Sequence, residues 1–343
     1  MERGDEAAAA ERVVAVRNDV VRYLLRDTDS TTVMALSSSL LELHPKAWRL
    51  RLGLAHFHLY RREIRAALEQ LKQIDIAAPD DRRLSVVLSD RASLGDPDGA
   101  ERDLNRSSLM RRPAQLAYTR ARIAWSRGRY AEAARFYDAA AESATASNLT
   151  PVADESWVMS GAARIAAGDL DAAQSALDVA AIKSQQTHYT PEAVDAYTYG
   201  AYAAYRRGDA EGMERRLRAA FALVPHTSAS FDELRLFALR VHSPSVPHVK
   251  PGEDLQEDFG VASLVAAREA WSRGNNAAAT RLLQQARSEG VDSTWFAEQS
   301  ALLAYDLGAP PRTTFKPDPP YPNRLRFVAI WELGRSAKLK IEN

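Results

Sequence analysis

One heptapeptide occurs twice in this chain, as Arg122-Ile123-Ala124-Trp125-Ser126-Arg127-Gly128 and as Arg268-Glu269-Ala270-Trp271-Ser272-Arg273-Gly274. The two copies are identical at six of seven places and start 146 residues apart. The sequence around them has helical periodicity, with no strand pattern nearby. A string that recurs in this way indicates one structural unit used more than once, and therefore internal repeats.

Each heptapeptide ends at a glycine, and small and large apolar residues follow it at fixed distances. After Gly128 these residues are Ala133, Tyr137 and Ala140, which share one face of a helix. The same frame predicts further helix pairs downstream, at Gly168, Leu170, Ala173, Leu177 and Ala180, at Gly208, Ala210, Met213, Leu217 and Ala220, and at Gly274, Ala279, Leu283 and Ala286.

The spacing between copies changes along the chain. Upstream of Ala133 the equivalent alanines follow at steps of 33 residues, whereas the next two copies, at Ala173 and Met213, follow at steps of 40. The additional residues fall in 148–151 and 187–191. These two lengthened copies predict longer helices or inserted loops at those places.

The residue types in the frame suit pairs of packed helices. Glycine at the turn allows the positive φ that ends a helix, and small residues allow two helix backbones to approach closely. Larger residues further along extend the apolar stripe onto the next pair. One pair alone leaves an apolar face uncovered, so stacking of pairs is required for stability.

The pattern resembles the tetratricopeptide repeat. The copy that matches best carries Trp157, Gly161, Gly168, Ala173 and Ala180 at the family's characteristic places, and the resemblance extends over residues 14–308. It implies an all-α fold, an α-solenoid of stacked helix–turn–helix repeats in a right-handed superhelix with a short non-repeat C-terminal tail. The Lys and Asn clamp of members that bind acidic tails is not reproduced, because Tyr118, Arg122, Thr198 and Tyr202 stand at the comparable places.

Proline-rich stretches interrupt the repeats. The stretch from Ser243 to Gly252 cannot continue a helix, and Pro310 opens a second such stretch. The predicted organisation is an N-terminal extension at 1–13, six repeats at 14–227 with two of them lengthened, a degenerate unit at 228–259, a repeat plus a terminal helix at 260–308, and a linker at 309–343 that leads to a hairpin or a helix.

The composition excludes several classes of protein. The 343 residues are 46% hydrophobic and carry 45 basic and 45 acidic side chains, so the zero net charge gives no global attraction to nucleic acid. Cysteine is absent, which excludes disulfides and thiolate zinc sites. No transmembrane or signal sequence is evident, which predicts a cytoplasmic protein, or a periplasmic one if a signal has been removed.

The sequence lacks the common motifs for catalysis and for metal binding. No phosphate-binding glycine loop, dinucleotide fingerprint or nucleophile elbow is present. His56 and His58 lie two residues apart on a predicted helix and therefore point to different faces, which makes a poor metal pair. The sequence predicts a non-enzymatic protein without a cofactor or a metal.

Aromatic residues and arginines concentrate on the predicted first helices of the pairs, which line the concave side of a solenoid. Aromatic rings and arginine forks suit the recognition of an extended peptide. The candidate partner-binding residues of this groove are His56, Tyr60, Tyr118, Arg122, Trp125, Tyr199, Tyr202, Tyr205, Arg206, Arg268 and Trp271.

The competing interpretation places the tryptophans between units as core residues, and the tyrosine cluster has the same alternative. The leading functional hypothesis is an adaptor that binds a protein or peptide in its concave groove. One alternative is a solenoid that senses a peptide or ligand. Another is a cell-envelope assembly factor, because residues 319–322, Pro-Pro-Tyr-Pro, distantly resemble the opening of a TonB-type C-terminal domain.

Overall fold

The computed structural model describes residues 30–60, 63–188, 190–225, 229–247, 261–289 and 294–310. Within these residues the chain forms fifteen α-helices and one 3₁₀ turn, and no strand. The all-α prediction is confirmed for this part of the chain. The chain divides into two compact units, Met1–Arg112 and Pro113–Asn343.

The described part of the first unit contains five α-helices and the 3₁₀ turn. Consecutive helices pack against each other through an apolar cluster that includes Ala67, Leu71 and Val87. The helices are α1 (Ser30–Leu43), α2 (Trp48–Tyr60), α3 (Ile64–Lys72), α4 (Asp81–Ser93) and α5 (Pro97–Leu104), followed by the 3₁₀ turn Ser108–Arg111.

The second unit contains ten described helices, and each packs against the next. Alternate helices also touch, since α6 contacts α8, α8 contacts α10 and α13 contacts α15. The helices are α6 (Pro113–Ser126), α7 (Tyr130–Ala146), α8 (Thr150–Ala167), α9 (Leu170–Gln186), α10 (Thr190–Arg207), α11 (Ala210–Leu223), α12 (Ala229–Arg240), α13 (Val261–Ser272), α14 (Asn276–Glu289) and α15 (Thr294–Asp306).

The glycine turns form as the sequence predicts. At Gly168 the φ angle is 85°, and the Asp169 N–H donates to the Arg164 carbonyl at 2.9 Å, which is the hydrogen bond of a Schellman cap. Asp169 then begins the next helix, because its side chain accepts from the Ala172 N–H. Positive φ recurs at the equivalent places, Gly95, Gly128, Gly208, Gly274 and Gly308.

The two lengthened copies consist of longer helices rather than inserted loops. α7 and α9 each have 17 residues, and α8 and α10 each have 18. The turns between pairs stay short because Asn148 and His188 adopt positive φ, at 54° and 58°. The additional residues therefore lengthen the helices on either side of the turns at 148–151 and 187–191, although Tyr189 lies outside the described residues.

The described residues of the degenerate unit form the helix α12 (Ala229–Arg240), and the sequence from Phe231 to Val241 predicts a helix there. After it, Ser243 and Ser245 donate hydrogen bonds to the Glu214 carboxylate of α11, which holds the start of the proline-rich loop. Residues 248–260 and the tail at 311–343, with its predicted hairpin or helix, lie outside the described residues. In the part of the chain that is described, no helix is long and apolar enough to cross a membrane.

Candidate functional site

The structure divides the eleven candidate residues by exposure. Five are buried, namely Arg122, Trp125, Tyr199, Tyr202 and Arg268. This placement differs from the expectation that they line an open groove, because neighbouring helices cover them. His56, Tyr118, Tyr205, Arg206 and Trp271 keep some exposure, and the Tyr60 side chain lies outside the described residues.

The second heptapeptide is the centre of a buried ion network. Arg268 Nη1 donates to Asp306 Oδ2 at 2.5 Å, and Arg240 Nε donates to the same oxygen at 3.0 Å. The three side chains are at most 9% exposed. Burial lowers the pKa of the Arg268 guanidinium to about 10, against the opposing attraction of Asp306. The Asp306 carboxylate therefore pairs with two buried arginines, which come from α12 and α13.

Trp271 belongs to the same network. Its indole Nε1 donates to the Asp306 carbonyl at 3.2 Å, and the Arg268 guanidinium lies 5.0 Å from the centre of its ring. The His242 ring stacks on it at 5.1 Å. The Trp271 side chain thus covers the arginine and caps the end of α15, and this packing accounts for most of its surface.

The first heptapeptide lies in a different environment. Trp125 is 7% exposed and packs edge-to-face on Tyr130 of α7 at 5.5 Å. Four residues before Arg122, the Tyr118 hydroxyl donates to Glu155 of α8 at 2.7 Å and its ring packs on Tyr137. Burial around the hydroxyl, followed by the charge of Glu155, raises the pKa of Tyr118 well above its usual value.

The tyrosines of α10 are mainly core residues. Tyr199 and Tyr202 are fully buried, and Tyr202 packs edge-to-face on Phe237 of α12 at 6.0 Å. Gly200 sits between them because Arg216 of α11 crosses its position: a Cβ there would lie 2.9 Å from the Arg216 Cδ. The close approach of that arginine requires glycine at this place.

Tyr205 and Arg206, at the end of α10, form the accessible part of this cluster. Tyr205 is half-buried against Phe237 at 6.3 Å, and Arg206 is exposed. Arg206 Nη1 donates to the Tyr202 hydroxyl at 3.1 Å, which places the guanidinium 5.7 Å from the centre of that ring. The buried Tyr202 and Phe237 rings therefore support a partly exposed Tyr205 ring and an exposed Arg206 guanidinium.

His56 is the accessible candidate in the first unit. Its Nε2 lies 3.2 Å from Asp90 Oδ2, on the neighbouring helix α4. His58 makes a separate contact, with Nδ1 at 2.7 Å from Glu63 Oε2. The two histidines thus face different carboxylates, as their spacing predicts, and no group of metal-ligating side chains occurs among the described residues.

Contacts between first helices share a sequence separation that the sequence reasoning missed. His56 and Asp90 are 34 residues apart, Tyr118 and Glu155 are 37 apart, and Arg268 and Asp306 are 38 apart. Each separation is close to one repeat. The sequence signal for these contacts is a polar residue about one repeat downstream of the candidate. It identifies Asp90, Glu155 and Asp306 as the contact residues of His56, Tyr118 and Arg268.

Scans of the chain against protein-family models and against curated proteins found no match. The geometry of the described residues is therefore the basis for any functional conclusion.

Proposed function

We propose that this protein is a non-enzymatic scaffold of tetratricopeptide-like repeats, without a cofactor, that binds a segment of a partner protein on its first helices. Three observations support stacked, solenoid-like pairs. Glycines with positive φ follow six of the first helices, consecutive helices pack together, and α6, α8 and α10 touch in series. The cytoplasm is the compartment we propose for it.

The accessibility of Tyr205 and Arg206 is the observation that supports a binding role most directly. Most other candidates are engaged in packing, whereas Arg206 makes one hydrogen bond and one ring contact, both within its own helix. Its remaining N–H donors are available to a carboxylate, and the half-buried Tyr205 ring offers contact area with little loss of side-chain entropy. We expect the partner segment to place an acidic residue at Arg206 and an apolar residue on Tyr205.

The absence of cysteine makes this proposal directly testable. A single cysteine at the exposed neighbouring position, Arg207→Cys, would carry a photo-crosslinker and keep both Tyr205 and Arg206, and the crosslinked partner would then be identified and its segment synthesised. Binding of that segment should weaken roughly tenfold or more in Arg206→Glu and Tyr205→Ala. The matched control is Arg135→Glu, which reverses an exposed arginine on the second helix α7.

The unfolding midpoint decides between binding and packing. Both variants should unfold within a few degrees of the wild type, because Arg206 is exposed and Tyr205 is only half-buried. Unchanged affinity in both variants would contradict the proposal. A large loss of stability without loss of affinity would assign Tyr205 to the core instead.

A further inference from the structure

The sequence that follows α15 does not fit a second helix of the repeat. In the best-matching copy, Leu177 and Ala180 stand nine and twelve residues after the turn glycine, in the middle of the second helix. The same places after Gly308 hold Pro317 and Pro320, which the interior of a helix does not accept. The last copy of the repeat therefore ends with its first helix.

Two places on a first helix face the next repeat. Tyr202, six residues before its turn glycine, packs on Phe237 of α12. Arg268, at the same place in its copy, pairs with Asp306 of α15. Tyr118, ten residues before its turn glycine, donates to a glutamate of α8. In each case the contact lies on the first helix that comes next in the chain, so we call this the downstream face of a first helix.

The downstream face of α15 is buried, although α15 is the last described helix. Leu302 and Glu298, six and ten residues before the turn glycine, are 3% and 1% exposed. Leu303 belongs to the apolar cluster formed with α12, α13 and α14, whereas Leu302 does not. Arg240 of α12 reaches Asp306, about 12 Å along the helix from Glu298. A part of the chain outside the described residues therefore covers this face.

The end of the chain contains a run that suits this face. Residues 324–333, which we name the C-terminal segment, read Arg-Leu-Arg-Phe-Val-Ala-Ile-Trp-Glu-Leu, and seven of the ten are apolar. The fifteen residues at 309–323 reach about 45 Å when extended. The thirteen residues of α15 rise only about 20 Å. The linker is thus long enough to bring the C-terminal segment back along the whole of α15.

We propose that the C-terminal segment packs on the downstream face of α15, in the place of the next first helix. Its apolar side chains cover Leu302, and Arg324 and Arg326 bring positive charge to the buried carboxylate of Glu298. A stack of repeats needs such a cap, because its last unit has no neighbour to cover its apolar face. The chain thereby closes this end of the stack itself, and a partner binds elsewhere.

Charge argues against the loop at 248–260 as the cover. This loop contains four acidic residues and one lysine, so it would place further carboxylates beside the buried Glu298. The C-terminal segment has two arginines and one glutamate. The two segments can be distinguished because a chain without cysteine accepts a single reactive thiol at any chosen place.

The first test is a photo-crosslinker on Ala301→Cys in the full chain. Ala301 is half-buried and next to Leu302. After irradiation and digestion, mass spectrometry should find the label joined mainly to peptides of the C-terminal segment. Ala139→Cys, at an exposed place on α7, is the control and should not label that segment. Attachment to residues 248–260, a covalent dimer, or no attachment to the C-terminal segment would each overturn the proposal.

The second test removes the cover by substitution in the full chain. Phe327→Asp with Trp331→Asp should speed hydrogen exchange of the α15 amides at least about tenfold and leave α6 and α7 as in the wild type. Phe315→Asp, in the linker, is the control and should leave α15 unchanged. Wild-type exchange of α15 in the double variant would contradict the proposal. Neither test involves a partner, so the results are independent of Tyr205 and Arg206.

Discussion

The two copies of the heptapeptide fold alike and are used differently. In both, the final glycine has positive φ, at 71° for Gly128 and 77° for Gly274, and the string ends the first helix of a pair. The tryptophan of the first copy packs on Tyr130 within its own pair. The tryptophan of the second copy donates to Asp306, on a helix beyond its pair.

The difference follows from what stands one repeat downstream. The second copy meets Asp306 at the end of α15, which draws Arg268 and Trp271 into a buried network. Downstream of the first copy, α8 presents Glu155 to Tyr118 instead. The repeated string thus ends a helix in the same way in both copies, while in the second copy the next first helix supplies the contacts of Arg268 and Trp271.

The largest loss of stability should come from removing the Asp306 carboxylate, which the second copy contacts. Asp306→Asn removes the carboxylate that Arg240 and Arg268 both contact and leaves the fully buried Arg268 guanidinium without its ion pair, which should destabilise the protein by about 3–5 kcal/mol in urea unfolding followed by circular dichroism. Asp171→Asn is the control, because that carboxylate is 83% exposed and pairs with Arg207 at the surface. A loss for Asp306→Asn as small as that of the control would show that the network does not hold α15.

The two tryptophans should differ in cost. Trp125→Ala removes a side chain that is 7% exposed and leaves a cavity, which should cost about 3–5 kcal/mol. Trp271→Ala removes a half-buried ring and one hydrogen bond, which should cost about 1–2 kcal/mol. Calorimetric unfolding of the two variants measures the order. The reverse order would mean that the second copy, not the first, forms the packed core.

A smaller loss of stability is expected at the contact between α6 and α8, where Tyr118 binds Glu155. Tyr118→Phe loses one hydrogen bond to Glu155 and should cost about 1–2 kcal/mol at neutral pH. Because the folded protein holds the pKa of Tyr118 above its unfolded value, this stabilisation is present below the unfolded pKa and is lost as the pH rises through the folded value.

The measurement is the free energy of unfolding of the wild type and of Tyr118→Phe, compared from about pH 7 to about pH 12. The stability difference should hold up to about pH 10 and shrink beyond it. A difference that does not change with pH would show that the phenol contributes through packing of its ring alone.

The smallest effect should be equal in the two copies. Gly128→Ala and Gly274→Ala each force an L-residue into positive φ, and an added Cβ meets no atom within 4 Å at either place. The cost is therefore conformational alone, about 1 kcal/mol each. Chemical unfolding of the two variants gives the values, and a clear inequality would show that the two turns are not equivalent.

Local features of the fold could be predicted from the sequence because they depend on nearby residues. Gly168 and its equivalents mark helix ends, and the lengthened copies appear as extra residues at 148–151. The site was harder to predict. Periodicity assigns Tyr202 to a first helix, but it does not tell whether Phe237, from a degenerate unit 35 residues later, covers the ring. Exposure depends on such distant neighbours, so buried and accessible candidates could not be separated.

The most direct test of the link between neighbouring pairs is a double-mutant cycle on Arg268→Met and Asp306→Asn, measured by urea unfolding. If the arginine of the second heptapeptide joins its pair to α15, the two changes should be coupled by about 1.5 kcal/mol or more. Costs that add within about 0.5 kcal/mol would contradict this and would leave Arg268 a buried side chain without a structural partner.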